Sequence, residues 1–154
     1  MERESVLYVS GIHAILRSER RGRLGFGLCV TTERKTLLCI DDYATAAAGW
    51  CLYLQSAGYS VATAYSAQEG LQLFATLPVD LVMLDYAMPE ANGGEVAAMM
   101  KRIKPHVPIL LFSGVSEIPN SDHLQIDAFL QKGTAPPIVL QKIEELLGRD
   151  GAAA

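Results

Sequence analysis

The sequence predicts an α/β fold, a doubly wound five-stranded parallel sheet with helices on both faces. Three observations predict it. Short, unbroken apolar runs at Leu37–Ile40, Leu81–Leu84 and Ile109–Phe112 suit strands buried on both sides. Segments with helical spacing separate them. Alternation of this kind implies parallel strands joined by right-handed crossovers.

The elements run in order from Lys35. Leu37–Ile40 is the first strand of the sheet and ends in Asp41-Asp42. Residues 44–57 are alanine-rich, with Ala47, Cys51 and Leu54 on one face at helical spacing, and Gly58 supplies a stop. Residues 59–64 alternate as a second strand. Ser66 and Glu69 make a capping box for a helix with Leu71 and Phe74 inward. Leu81–Leu84 is the third strand and ends in Asp85. A helix from Glu95 places Val96, Met100 and Ile103 on one face, and Met99 and Met100 read as core filler. Ile109–Phe112 and Ala128–Leu130 complete the sheet, and Thr134–Leu147 forms the last helix, with Pro136 in its first turn and Val139, Ile143 and Leu146 apolar. The Gly-Ala tail at 149–154 is expected to be disordered.

Composition bounds the function. Half of the 154 residues are apolar and 19% are charged, which suits one globular domain. Cys29, Cys39 and Cys51 lack CxxC spacing, and the histidines lie far from them. Free thiols in a reducing cytoplasm are expected, and no zinc site. No apolar run approaches the roughly 20 residues that span a bilayer, and a signal peptide is not expected.

The net charge of −4 hides an asymmetry: +3 over residues 1–35 and −7 over residues 36–154. Residues 1–35 read as a basic, flexible extension ahead of a domain at 36–148. Val6–Leu16 suits a strand or a helix, and Arg17–Arg23 with its neighbouring glycines suits a linker. Arginines without interleaved aromatics are a weak nucleic-acid signal, so a nucleic-acid partner is not expected.

The residues just past each apolar run carry the chemistry. Asp85 alone could be the cap of a turn. In a parallel sheet, however, Asp41-Asp42, Asp85, Ser113-Gly114 and Lys132-Gly133 all fall at one edge, where open α/β sheets place ligands. Three clustered carboxylates call for a cation, and Asp oxygens with open positions suit Mg²⁺. The hydroxyl and the ammonium suit the oxygens of a phosphoryl group. The set points to phosphoryl transfer onto Asp85.

These residues resemble the receiver domain of two-component response regulators, a flavodoxin-like fold, over residues 36–148. The resemblance rests on Asp41-Asp42, the Asp85-Tyr86-Ala87-Met88-Pro89 segment, Gly93, Ser113-Gly114, Phe129 and Lys132 in order. It implies that Asp85 accepts phosphate from a sensor histidine kinase or a histidine phosphotransfer protein. Asp42, Asp85 and the Ala87 backbone carbonyl would bind Mg²⁺, and Asp41 would act through a metal-bound water. Ser113 and Phe129 would form the switch, and Lys132 would pair with a phosphoryl oxygen. The protein would be a phosphoacceptor that promotes its own phosphorylation and dephosphorylation, not a classical enzyme.

The chain departs from the family in three places. Gly133 stands where many receivers carry Pro. Lys132 follows Ser113 by only 19 positions, room for a shortened fourth helix of about two turns at 121–126. Ala87 and Val115 occupy positions that tune loss of the phosphoryl group, and neither can orient a water. With no residues after 148 for an output domain, a stand-alone receiver acting on an unknown downstream protein is expected, with homodimerisation open and no membrane partner. A phosphorylation-independent binding module is the alternative, and an aspartyl-phosphate hydrolase ranks last because no general acid/base lies near Asp85.

Overall fold

The computed structural model describes residues 5–9, 12–16, 31–32 and 34–151. The chain divides into two units, residues 1–34 and residues 35–154. In the first, β1 (Ser5–Val9) pairs antiparallel with β2 (Ile12–Leu16), and β3 (Thr31–Thr32) pairs antiparallel with β2. The ambiguous stretch Val6–Leu16 therefore holds strands. The basic stretch Arg17–Arg23 lies outside the described residues.

The second unit alternates strand and helix: β4 (Thr36–Ile40), α1 (Ala44–Ser56), β5 (Ser60–Ala64), α2 (Ala67–Thr76), β6 (Leu81–Leu84), α3 (Gly93–Ile103), β7 (Ile109–Ser113), α4 (Asn120–His123), β8 (Ala128–Gln131) and α5 (Pro136–Gly151). The five strands are parallel, in the order β5-β4-β6-β7-β8. β4 is the hinge of this order. The chain leaves it toward β5 and returns to its other side as β6, which opens a crevice at the C-terminal ends of β4 and β6.

Alternate residues of the strands feed two cores, which is why their apolar runs are continuous. Leu38, Ile40, Val82, Leu84, Ile109 and Leu111 meet Phe74 of α2 and Val96, Ala97 and Met100 of α3. Leu37, Cys39, Leu81, Met83, Leu110 and Phe112 meet Leu54 of α1 and Val139, Ile143 and Leu146 of α5.

Local signals set the helix ends. The Ser66 hydroxyl accepts from the Glu69 N–H at 3.1 Å, and the Glu69 carboxylate accepts from the Tyr65 N–H at 2.8 Å. α1 stops at Gly58, whose φ of +98° favours glycine. α3 begins at Gly93, two residues before Glu95, because the Asn92 side chain accepts the Glu95 N–H at 2.9 Å. Three expectations need correction. Ile103 and Met99 are exposed, so only Val96, Ala97 and Met100 carry the apolar face of α3 inward. The shortened fourth helix is one turn, not two, and starts at Asn120. α5 continues to Gly151, past the expected boundary at 148.

Candidate functional site

The site is assembled by the sheet edge. Pairing with β5 extends one residue past β4, where the Asp41 N–H donates to the Ala64 carbonyl at 3.1 Å. The Asp85 N–H likewise donates to the Ile40 carbonyl at 2.9 Å, and the Lys132 N–H to the Ser113 carbonyl at 2.7 Å. Each functional residue is thus the first one beyond a strand, with its backbone still tied into the ladder. The side chains are held to the edge by the same bonds that form the core below.

Asp41, Asp42 and Asp85 each bring a carboxylate oxygen within 4.8 Å of the others. Asp41 and Asp85 are buried and Asp42 is exposed. The Lys132 ammonium lies 2.8 Å from Asp41 Oδ2 and 2.9 Å from Asp85 Oδ2. The other Asp41 oxygen accepts the Tyr43 N–H at 2.9 Å, and Asp85 Oδ1 accepts the Ala87 N–H at 3.4 Å. Burial alone lowers the pKa of the Lys132 ammonium, but the hydrogen bonds and negative charges of Asp41 and Asp85 outweigh it and the net shift is upward. One cation facing three carboxylates leaves the cluster with net negative charge. Its oxygen donors, one of them open to solvent, fit a small hard dication such as Mg²⁺.

Ser113 ends β7 fully buried, and its hydroxyl has no hydrogen-bond partner among the described residues. A buried hydroxyl is rarely left so. Beneath the carboxylates a cavity of about 10 Å³ is lined by Asp41 and Asp85 on its polar side and by Cys39, Met83, Trp50 and Phe112 on its apolar side. That is the lower limit of room for one water. Trp50 packs edge-on against Phe112, ring centres 5.0 Å apart, so the single tryptophan reports on this cavity.

The structure brings Asp41, Asp42, Asp85 and Lys132 into one constellation. Ala87 is exposed in the loop after Asp85, bridged antiparallel to Asn92, and Met88 anchors that loop in the core. Phe129 is half-buried against the α2/α3 core. Gly133 takes φ +102°, a conformation that turns the chain directly after Lys132. Sequence pattern alone gives no role to the side chains of Tyr86 and Asp122 or to Gly94. They meet beside the site: Tyr86 Oη donates to Asp122 Oδ2 at 3.0 Å, across 36 residues of sequence. The one local hint is a second glycine at a helix start.

A family model described as the response regulator receiver domain matches residues 37–144. The transcriptional regulatory protein GlrR of Escherichia coli K12 is 31% identical over 120 residues, 76% of this chain and 27% of that protein. The chain thus spans about a quarter of that relative's length. The structure of response regulator TrrA from Thermotoga maritima, in complex with Mg²⁺ and BeF, is 28% identical with a TM-score of 0.70, covering 73% of this chain and 98% of that one. A CheY-like receiver domain protein from Methanospirillum hungatei, 23% identical, shares the fold with a TM-score of 0.73 over 79% of this chain and 99% of its own.

Proposed function

The chain belongs to the response regulator receiver domain family, and from that premise we propose that Asp85 accepts a phosphoryl group and thereby switches protein contacts. The observation that carries the proposal is the convergence of Asp41, Asp42 and Asp85 around Lys132 at one sheet edge. The donor is a phosphohistidine of a sensor kinase or phosphotransfer protein, and the output is a downstream protein. The family consists of phosphoacceptor signalling domains, and no helix of the described residues is long and apolar enough to cross a membrane.

A carboxylate oxygen of Asp85 attacks phosphorus in line. The P–N bond to the donor imidazole breaks as the acyl-phosphate P–O bond forms, and the imidazole keeps the electron pair. Burial excludes water from the Asp85 side chain. The Lys132 ammonium, already against Asp85, exchanges a carboxylate oxygen for a phosphoryl oxygen and balances the charge that develops there. The unpartnered Ser113 hydroxyl donates to another phosphoryl oxygen, which satisfies a group that otherwise stays buried and unpaired. Its movement frees space toward which the half-buried Phe129 turns. Asp42, Asp85 and the Ala87 carbonyl would hold Mg²⁺ directly, with Asp41 acting through a water. When bound, the ion supplies charge neutralisation for the carboxylates and the phosphoryl oxygens. The beryllofluoride and Mg²⁺ named for TrrA support this assignment for the matching acidic pocket here.

Incubation with acetyl phosphate tests the reading, with acetate leaving in place of imidazole. Intact mass should show an Mg²⁺-dependent phosphoryl adduct in wild type and none in Asp85→Asn. No adduct in wild type, or an equal one in Asp85→Asn, would sink it. Partner binding that ignores the adduct would instead favour a phosphorylation-independent module.

A further inference from the structure

The connection from β7 to β8 carries a helix of four residues, yet α4 is held by more than its length requires. Ile118 before it is buried in the α2/α3 core, and Ile126 after it packs against the same core. Asp122, within it, accepts from Tyr86 Oη at 3.0 Å and from Ser121 Oγ at 3.1 Å. The Asp122 carboxylate lies so close over Gly94 that a Cβ at that position would overlap it. Glycine at the second residue of α3 is what admits the carboxylate, and the positive end of that helix favours its charge.

The other half of the contact belongs to the phosphoacceptor loop. Tyr86 follows Asp85 directly, and its carbonyl accepts the Gly93 N–H at 2.7 Å. A Cβ on Gly93 would stand 2.7 Å from Tyr86 Cα and 2.8 Å from the Asp85 carbonyl oxygen. The loop, the start of α3 and the short α4 therefore meet at the Tyr86 residue.

We infer that the Tyr86–Asp122 hydrogen bond is a clasp that carries the state of Asp85 to residues 118–127. The inference rests on Asp85 as the phosphoacceptor. A hydrogen bond to a charged group in a partly buried setting is strong enough to hold a one-turn helix that has little stability of its own. Rearrangement of the loop on phosphorylation then moves Asp122, and with it Leu124, which is exposed one residue beyond the helix.

Amide hydrogen exchange over residues 114–127 tests the clasp in two arms. In the protein alone, Tyr86→Phe keeps the ring and removes the donor. It should speed exchange at 118–127 roughly 5- to 10-fold and leave α5 unchanged. Asp122→Ala should match it. Exchange at the wild-type rate in both variants overturns the clasp. In the second arm Mg²⁺ and beryllofluoride are added and binding is followed by Trp50 fluorescence. Wild type should change its exchange over 118–127, whereas Tyr86→Phe should still bind, with its affinity shifted from wild type by about the factor of that change, and should lose the change itself. A full response in Tyr86→Phe overturns the relay. Failure of wild type to bind beryllofluoride defeats the reading of Asp85 and the relay with it, while the first arm still decides whether the clasp exists.

Discussion

The Lys132 ammonium bonds the Asp85 carboxylate at 2.9 Å, so the group that would meet a phosphoryl oxygen is already engaged with the side chain that would carry it. The same ammonium reaches Asp41 at 2.8 Å and is the one cation in contact with the cluster among the described residues.

Removing that cation exposes the repulsion it offsets. Lys132→Met should cost about 1–2 kcal/mol of stability without metal, a figure kept low because the lysine is partly exposed. Mg²⁺ should then stabilise the variant more than it stabilises wild type, because binding to the folded state alone raises its stability by mass action. Thermal melts with and without Mg²⁺ decide this, and a smaller metal-induced shift in the variant would contradict it. The lysine pKa is raised in the folded state, so its contribution is intact through neutral pH and is lost only as pH climbs past the ordinary lysine range.

Ser113 separates function from stability. Its hydroxyl is buried and unpartnered, so Ser113→Ala removes no bond and relieves a desolvated group. Stability should stay level or rise by up to about 1 kcal/mol. Affinity for beryllofluoride should fall roughly 10-fold, the loss of one hydrogen bond to a charged ligand. Denaturant titration and Trp50 fluorescence read the two quantities separately. A large loss of stability would mean that the hydroxyl is satisfied after all.

How much of this is legible in the sequence depends on which forces are local. Leu81–Leu84 reads as a buried strand because a parallel strand fills both faces, and chain alternation alone then brings Asp41, Asp85 and Lys132 to one edge. Ser66 and Glu69 announce their helix start by spacing. Gly93 and Gly94 hide theirs, since glycine is a poor helix former and the signal lies in Asn92. Ile103 keeps to the helical period of α3, but period does not report whether a neighbour covers the last turn. The Tyr86–Asp122 bond is illegible for a plainer reason: it is a tertiary contact between residues that no local rule connects.

Cys39 should be chemically silent. Burial first, then the nearby Cys51 and Asp41, raise its thiol pKa from 9.0 to about 12. The thiolate that alkylating reagents require is therefore scarce at pH 8. Native protein treated with iodoacetamide should label Cys51 well before Cys39, by peptide mapping. The stability that the neutral thiol confers is present below the unfolded pKa of 9.0 and is lost as pH rises through the folded value of about 12. Equal labelling of the two cysteines would refute the assignment.

Two glycines should respond to alanine in opposite senses. Gly49 lies inside α1 with nothing within 4 Å of a Cβ, so Gly49→Ala should stabilise by about 0.5–1 kcal/mol. Gly93 abuts backbone atoms of Asp85 and Tyr86, which cannot yield as a flexible side chain can. Gly93→Ala should cost about 1–3 kcal/mol and displace the loop beside Asp85. Urea unfolding of both variants checks the pair, and the same sign for both would contradict it.

The lifetime of a phosphoryl group on Asp85 should be long. Hydrolysis needs a water held in line with the P–O bond, and a polar side chain near the phosphoryl group ordinarily holds it. Ala87 is exposed beside the acceptor but carries only a methyl group, and Val115 is half-buried against the α2/α3 core. Neither can hydrogen-bond to water. With Mg²⁺ present, the adduct should therefore persist for minutes or longer, measured by intact mass after removal of the donor. Ala87→Asn, which supplies a donor and an acceptor at an exposed loop position, should shorten it several-fold. A wild-type half-life of seconds would show that another group, or the metal ligands alone, positions the water.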